Sequence, residues 1–309
     1  MKDSMNILVT GGTGFIGSHL CEKLVRKDHS VFALSHTNDV SNVQQIVNND
    51  NFSILEGDIT NFGEIKEVVE KVAPDIIFHM ASFQPASQKP KSFFQVNIKG
   101  TFNLLLSIGN NANIDLITSS SKMVYGAPEY LPVDEKHVKE PLDHYGTSKL
   151  CADNYVKLFA RENGIKSVVL RYPGVYGPRA EATFLKYLLS RFLQNSNVEI
   201  TSPGYIKDYV YVKDVVNANL ASMDLLESDH VNFEIINVGS GHKLTKYEMA
   251  QKAREVCDVN TEVHRGEETA DDFDFYFDLK KARRLLNYGP RPFEEAVGDY
   301  WNWLQRRQK

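Results

Sequence analysis

The first 27 residues narrow the fold more than any other part of the chain. Residues 6–10, NILVT, form an apolar run without the in–out alternation of a half-exposed strand. GGTGFIG follows at once, opening an amphipathic stretch over 15–27. A strand that is apolar on both faces must be covered on both, as in a parallel sheet flanked by helices. The same unit then recurs. The spacing predicts strands at 30–35 (SVFALS), 52–57 (FSILEG), 75–82 (DIIFHMAS), 115–121 (DLITSSS) and 167–172 (SVVLRY). It predicts helices at 62–72, 93–108 and from Tyr145 onward, with a weaker one near 40–47. Alternation of this kind predicts an α/β fold built on a doubly wound parallel sheet.

Gly11, Gly14 and Gly17 stand at GxxGxxG spacing between the first strand and the first helix. Without side chains, the backbone there can turn tightly and approach a pyrophosphate, whose charge sits at the positive end of the helix. The strand–turn–helix context gives the glycine pattern its weight. It predicts a Rossmann-type dinucleotide-binding domain over 1–172, with Phe15 and Ile16 in the turn that meets the cofactor. An acidic residue at the end of the second strand would hold the ribose of NAD. Ser35 and His36 stand there instead. Both can hydrogen-bond a 2′-phosphate, with no arginine adjacent, which tips this position slightly toward NADP.

After Tyr172 the rhythm breaks. PGVYGPR is turn-rich, a helix is predicted over 184–194, and 208–223 reads as a strand edge running into a helix. FEIINVGSG (233–241) reads as a strand, and helices follow near 247–257, 279–286 and 293–305. These segments predict a smaller, interleaved C-terminal substrate lobe made of 173–207 and 241–309, with 208–240 returning to the first domain. The 309 residues suffice for a sizeable core. A net charge of −5 leaves no basic footprint for nucleic acid. No apolar run approaches the ~18 residues of a membrane span, and the chain enters a strand at residue 6 without a signal-peptide layout. A cytoplasmic protein with no membrane partner is expected. Cys21, Cys151 and Cys257 are far apart, lack CxxC spacing and sit in apolar helical patterns. They read as buried thiols, and no metal is expected.

DHYGTSKLCADNY (143–155) places Tyr145 and Lys149 four residues apart, on one face of a helix. A phenol of pKa ~10 is a poor base near neutral pH, and a nearby ammonium favours its ionised form. Alone, the pair would read as a helix-start aromatic and a surface lysine. Downstream of a glycine loop, it reads as an acid–base pair.

Further motifs carry a family likeness: GDI at 57–59, HMAS at 79–82, VNIKGT at 96–101, SSSKMVYG at 119–126, RYPGVYGPR at 171–179, DYVYVKDVV at 208–216 and INVGSG at 236–241. The chain resembles the extended short-chain dehydrogenase/reductase family, in its NAD(P)-dependent nucleotide-sugar epimerase/dehydratase branch. The likeness is nearest to UDP-sugar 4-epimerases and covers nearly the whole length. It implies a catalytic set of Ser121, Tyr145 and Lys149. Tyr145 would exchange a proton with a sugar hydroxyl, Lys149 would hold the nicotinamide ribose, and Ser121 would orient the reacting oxygen. It implies adenine contacts at Asp58 and Ile59 and a cofactor path along Met80, Ala81, Ser82 and Ser119. It further implies a structural role for Asn97 and a turn at Tyr172, Pro173 and Val175 beside the nicotinamide. On the substrate side it points to Ser121, Lys122, Gly174, Arg179 and Lys207.

Departures from the family pattern narrow the reaction. Dehydratases carry an Asp-Glu pair just after the catalytic Ser/Thr, and Lys122 and Met123 stand there instead. That argues against dehydration. An epimerase is the expected activity, and its regenerated cofactor favours NAD. The alternative is an NADPH-dependent reductase of a keto-sugar or other small carbonyl compound. A non-catalytic dinucleotide sensor is a third reading, which retention of the trio opposes. Gly174 replaces an asparagine that contacts phosphate in relatives. Lys207 replaces an arginine, keeping the charge but losing the fork. Arg179 and Arg265 are further phosphate candidates. The resemblance also implies a homodimer, paired through helices 93–109 and 145–163.

Overall fold

The computed structural model describes residues 4–37, 39–84, 89–228, 231–270 and 272–308. Its strands are β1 (Asn6–Thr10), β2 (Ser30–Ser35), β3 (Phe52–Glu56), β4 (Ile76–His79), β5 (Asp115–Ser121), β6 (Ser167–Tyr172), β7 (Gly174–Tyr176), β8 (Val198–Ile200), β9 (Tyr209–Tyr211), β10 (Phe233–Asn237) and β11 (Val263–Arg265). Its helices are α1 (Phe15–Val25), α2 (Phe62–Val72), α3 (Pro90–Ser92), α4 (Thr101–Ile108), α5 (His144–Asn163), α6 (Phe184–Leu193), α7 (Val212–Glu227), α8 (Lys246–Cys257), α9 (Lys280–Leu286) and α10 (Phe293–Gln308). A π-helical stretch, Phe93–Gly100, joins α3 to α4, and a short 3₁₀ turn, Lys122–Val124, follows β5.

Seven strands form one sheet in the order β10-β6-β5-β4-β1-β2-β3. The pairs β1–β2, β2–β3, β1–β4 and β4–β5 are parallel. The chain builds outward from β1 to β3, then restarts on the other side of β1 with β4. The resulting switch point lies at the ends of β1 and β4, where α/β sheets bind ligands. The unalternating strands have the expected cause: Ile7, Leu8 and Val9 of β1 are all fully buried. On one face Leu8, Leu34, Ile77, Leu116 and Val169 join Ile65, Val68, Val69 and Val72 of α2, Leu104, Leu105 and Ile108 of α4 and Val156 of α5 in one core.

The expected helix near 40–47 does not form. The segment is a series of turns, with Val43, Ile46 and Asn49 each donating to the carbonyl three residues back. Short polar side chains compete with helix there. Asp39 accepts from the Ser41 N–H, and Asn42 donates to the carbonyl of Thr13.

The chain divides into two compact units: 1–126, 139–171 and 216–236 in one, and 127–138, 172–215 and 237–309 in the other. The division departs from the expected boundaries at 127–138, 208–215 and 237–240, and Tyr172 too falls in the second unit. Residues 208–215 stay with the second unit, because the Asp208 carboxylate accepts from the N–H and hydroxyl of Ser240 and from the Phe277 N–H. Residues 127–138 also belong there, because Val133 N–H donates to Tyr276 and Val133 O accepts from Asp278 N–H and the Asn237 side chain. The second unit holds two small parallel pairs, β7–β9 and β8–β11. Among the described residues, no helix is long and apolar enough to cross a membrane.

Candidate active site

The glycine turn lies at the switch point. Gly11 has φ +67°, and its N–H donates to Leu34 O at 2.8 Å. A Cβ at Gly11 would lie 2.9 Å from the Ala81 backbone. The loop after β4 therefore presses directly on the loop after β1. Gly14 caps α1 with no side-chain hydrogen bond, and the first turn of α1 carries no acidic residue. The N–H groups of Phe15, Ile16 and Gly17 have no acceptor inside the helix. A positive, uncapped helix start beside a glycine-rich turn suits a pyrophosphate.

Ser35 is buried and committed internally. Its hydroxyl donates to Thr37 O at 2.9 Å and lies 2.8 Å from the Thr13 hydroxyl. His36 is exposed. Asp58 is exposed at the end of β3, with one carboxylate oxygen accepting from Thr60 N–H. Ile59 points into the core, and a Cβ at Gly100 would meet it at 2.8 Å.

Asn97 sits in the π-helical stretch and ties two segments together. Its side-chain oxygen accepts from Phe83 N–H at 2.7 Å and from the Ser82 hydroxyl at 3.3 Å. Its amide donates to Phe83 O and to the Ser148 hydroxyl. The loop after β4 is thereby tied to α5, the helix carrying Tyr145 and Lys149. A π-bulge at such a point re-aims one side chain without ending the helix. The start of α5 is fixed by Asp143, whose carboxylate accepts from Gly146 N–H at 2.7 Å. Gly146 is required for a close approach: a Cβ there would lie 2.3 Å from the Met123 carbonyl. The first turn of α5 can thus lie against the turn after Ser121.

Ser121 ends β5 and accepts from Met123 N–H. Tyr145 is half-buried and packs its ring 6.0 Å from Phe93. Desolvation pushes its phenol up to about 12, while hydrogen bonds with the Ser121 and Ser82 hydroxyls pull the other way. Lys149 is buried, and desolvation pushes its ammonium down to about 8, opposed by Asp153. The expected lowering of the phenol by its lysine is not seen in the protein alone: the groups that lower it are the Ser121 and Ser82 hydroxyls. Burial penalises both charged forms, and Tyr145 is held as a neutral phenol.

The sequence reading missed a hydrogen-bond relay beneath the site. Thr101 donates its one hydroxyl proton to Asn97 O at 2.7 Å, so it accepts from His79 Nε2 at 2.9 Å. His79 Nδ1 then accepts from the Thr10 hydroxyl at 2.7 Å, which itself accepts from Ala81 N–H. Donor counting fixes His79 as the neutral Nε2–H tautomer. Desolvation and the nearby Lys149 push it down to about 3. The unfolded state binds a proton near pH 6.5 that the native state refuses, so stability is full above 6.5 and is lost as pH falls toward 3. The loss is roughly 5 kcal/mol at most. The difference in unfolding free energy between the wild type and His79→Gln should shrink by that order across this window. A pH-independent difference in denaturant titrations would sink the assignment. Also missed was Asp153, one turn beyond Lys149 on α5, paired with Arg171 on β6. Continuing the four-residue spacing from Tyr145 by one more step would have found it.

The remaining candidates lie in the second unit. Tyr172 and Pro173 are buried, and Val175 is on β7. Gly174 pairs with Tyr209 across β7–β9, and a Cβ there would lie 2.6 Å from the Tyr209 ring. An asparagine side chain has no room at that position, and Gly174 offers backbone only. Lys207 is not a bare cation: Asp272 forms a short ion pair with it and also lies 3.5 Å from Lys246. Arg179 adopts φ +71°, and Arg265 stacks on the Tyr247 ring at 4.8 Å. Among the described residues, no cluster of His, Cys, Asp and Glu suits a metal ion.

The geometry defines a class: α/β enzymes built on a Rossmann-like sheet with a glycine turn at its switch point. The chain belongs to the NAD dependent epimerase/dehydratase family, whose model matches residues 7–239. It is 31% identical to a Methanocaldococcus jannaschii protein provisionally assigned as a UDP-glucose 4-epimerase, over 98% of this chain and 99% of that one. Among solved structures it is similar to the UDP-glucose 4-epimerase of Thermotoga maritima with UDP-glucose. The TM-score there is 0.85, the identity 29%, and 98% of this chain and 99% of that one are covered. It is also similar to the UDP-N-acetylglucosamine 4-epimerase of Methanobrevibacter ruminantium in complex with UDP-N-acetylmuramic acid. There the TM-score is 0.88 and the identity 28%, covering 99% and 100% of the two chains.

Proposed function

We propose that the protein is an NAD-dependent epimerase of a UDP-sugar, acting at the sugar's C4. The observation that carries this reading is the convergence of Ser121, Ser82 and Tyr145, with Lys149 one turn on, in a site where Lys122 and Met123 replace an acid–base pair for dehydration. A nicotinamide dinucleotide held by the glycine turn at Gly11, Gly14 and Gly17 would supply the hydride chemistry. The chain's own residues do the rest. Once ionised, Tyr145 Oη takes the hydroxyl proton as the carbonyl forms and gives it back on re-reduction. Ser121 donates to the reacting oxygen, and the ammonium of Lys149 supplies the positive charge that favours an ionised Tyr145. Cofactor choice falls to NAD. The Ser35 hydroxyl is already engaged by Thr13 and Thr37, so it is not free to receive a 2′-phosphate.

The direct test is to incubate the purified protein with UDP-glucose, UDP-galactose and their N-acetylated counterparts, without added dinucleotide, and follow the anomeric protons by NMR. Interconversion of one pair, with about one NAD released per chain on denaturation, is expected. Failure to interconvert any pair, together with consumption of NADPH by a keto-sugar, would establish the reductase instead.

The same reading extends to assembly as a homodimer through α4 and α5. Phe102, Leu106, Tyr155 and Leu158 on these two packed helices are 38–44% exposed, and the rings of Phe102 and Tyr155 lie 5.2 Å apart. An apolar patch of this kind marks an interface. Leu106→Glu with Leu158→Glu should convert a dimer into a folded monomer in sedimentation velocity. A monomeric wild-type chain would refute the pairing.

A further inference from the structure

Tyr145 and Lys149 belong to a longer row. The next residue at the same spacing is Asp153, so the three side chains follow one another along one face of α5. Asp153 is 3% exposed. Behind it on β6 stands Arg171, 1% exposed, the largest fully buried side chain among the described residues. Its Nε and Nη2 both lie 3.0 Å from Asp153 Oδ2. Its Nη1 donates to Tyr125 Oη at 2.9 Å, and its guanidinium carbon lies 4.9 Å from that ring.

Apolar side chains of similar volume often replace a buried ion pair without loss of stability. The pair therefore calls for another account, and its place on the helix supplies one. A desolvated ammonium needs an anion nearby to keep its proton. A carboxylate free to swing, however, would take that ammonium as its partner and cancel its charge. A fork gripping one carboxylate oxygen meets both demands. We propose that Asp153 and Arg171 are positioning residues for the reaction proposed above. Arg171 anchors the Asp153 carboxylate one turn behind Lys149, so that Lys149 keeps its proton while its charge stays available to Tyr145, one turn ahead.

The electrostatics support the link to Lys149, while the Asp153 charge by itself also raises Tyr145. Burial pushes Asp153 up, and Arg171 and Lys149 pull it back. Asp153 in turn opposes the desolvation of Lys149. Other titratable groups on α5 and the surrounding elements are His79 on β4, Asp115 at the far end of β5, the exposed Lys99 on the π-helical stretch, Lys122 on the turn after β5, Tyr125 just past that turn, Asp143 at the start of α5, and the unburied His144, Cys151, Tyr155, Lys157, Arg161 and Glu162 along α5. His79 is neutral by the donor count above, so Asp153 is the one buried anion of this set.

The proposal rests on the epimerase reading only for the role given to Lys149. Its test needs neither cofactor nor substrate, so the two can fail separately. Lysine labelled with ¹³C at Cε is incorporated into the cofactor-free protein, and the Lys149 resonance, assigned with Lys149→Met, is titrated by NMR. Wild type should titrate near 8. Asp153→Leu with Arg171→Met removes both charges, and the midpoint should fall by about one pH unit or more. Arg171→Gln alone frees the carboxylate to pair with Lys149, and the midpoint should rise. A pair with no electrostatic hold on Lys149 moves neither midpoint, so unmoved titrations in folded variants would overturn the proposal. If the double variant does not fold, the direction of the Arg171→Gln shift decides.

Discussion

Tyr145→Phe should fold as the wild type does and lose turnover by a factor of about 10³–10⁴, the upper range for a positioned acid–base group. The substitution removes one oxygen. The ring keeps its place beside Phe93, 6.0 Å away, and α5 keeps its Asp143 cap and its contact through Gly146. What disappears are the hydrogen bonds with the Ser121 and Ser82 hydroxyls and the group proposed to carry the sugar proton. The neutral phenol is already disfavoured from ionising, so its loss leaves no buried charge unpaired. Thermal unfolding should shift little. Rates of UDP-sugar interconversion by NMR, with cofactor content measured on the same samples, check both halves. A variant that retains a tenth of wild-type turnover would show that another group moves the proton.

Much of this site could be read from the sequence because its parts are local. A strand, a glycine turn and a helix start are contiguous, and Tyr145 and Lys149 share one helix, so spacing alone places them. The sheet was legible for a related reason: strands buried on both faces lose their alternation, and that loss shows in single runs such as NILVT. Residues that act through partners far along the chain were not legible in this way. Thr10, His79 and Thr101 become a relay only when β1, β4 and α4 are stacked. Asp153 meets Arg171, 18 residues on, only across α5 and β6. Gly174 looks like a lost asparagine until β7 pairs with β9 and brings the Tyr209 ring over it. The weak helix near 40–47 failed differently. Its apolar spacing was adequate, but side-chain hydrogen bonds from Asp39 and Asn42 compete with helix, and spacing does not register them. The three-residue strands β7, β8 and β11 are too short to carry a period.

Gly17→Ala sets two opposed effects against each other. Alanine in a helix is favoured over glycine by roughly 1 kcal/mol, which alone would stabilise the first turn of α1. Against it stands a Cβ that would lie 2.2 Å from the Gly11 carbonyl oxygen and 3.0 Å from both the Gly11 carbonyl carbon and the Gly12 Cα. All three are backbone atoms and cannot swing aside as a flexible side chain could. Gly11 has little freedom to retreat, with its N–H bonded to Leu34 O and its Cα facing Ala81. The helix start must then move away from the turn. Overpacking of this kind costs about 1–3 kcal/mol, so the net change in stability is a loss of up to about 2 kcal/mol. Dinucleotide binding should suffer more, because the N–H groups that face the pyrophosphate move with the helix. A drop in affinity of 100-fold or more is expected. Gly63→Ala in α2 is the control: its Cβ meets only the Asn61 side chain at 3.5 Å, an ordinary contact, so helix propensity should win and stability should hold or rise. Denaturant unfolding of both variants, with calorimetric titration of NAD into cofactor-free protein, separates the two contributions. A Gly17→Ala protein that binds NAD as the wild type does would mean the glycine turn is not the phosphate cradle.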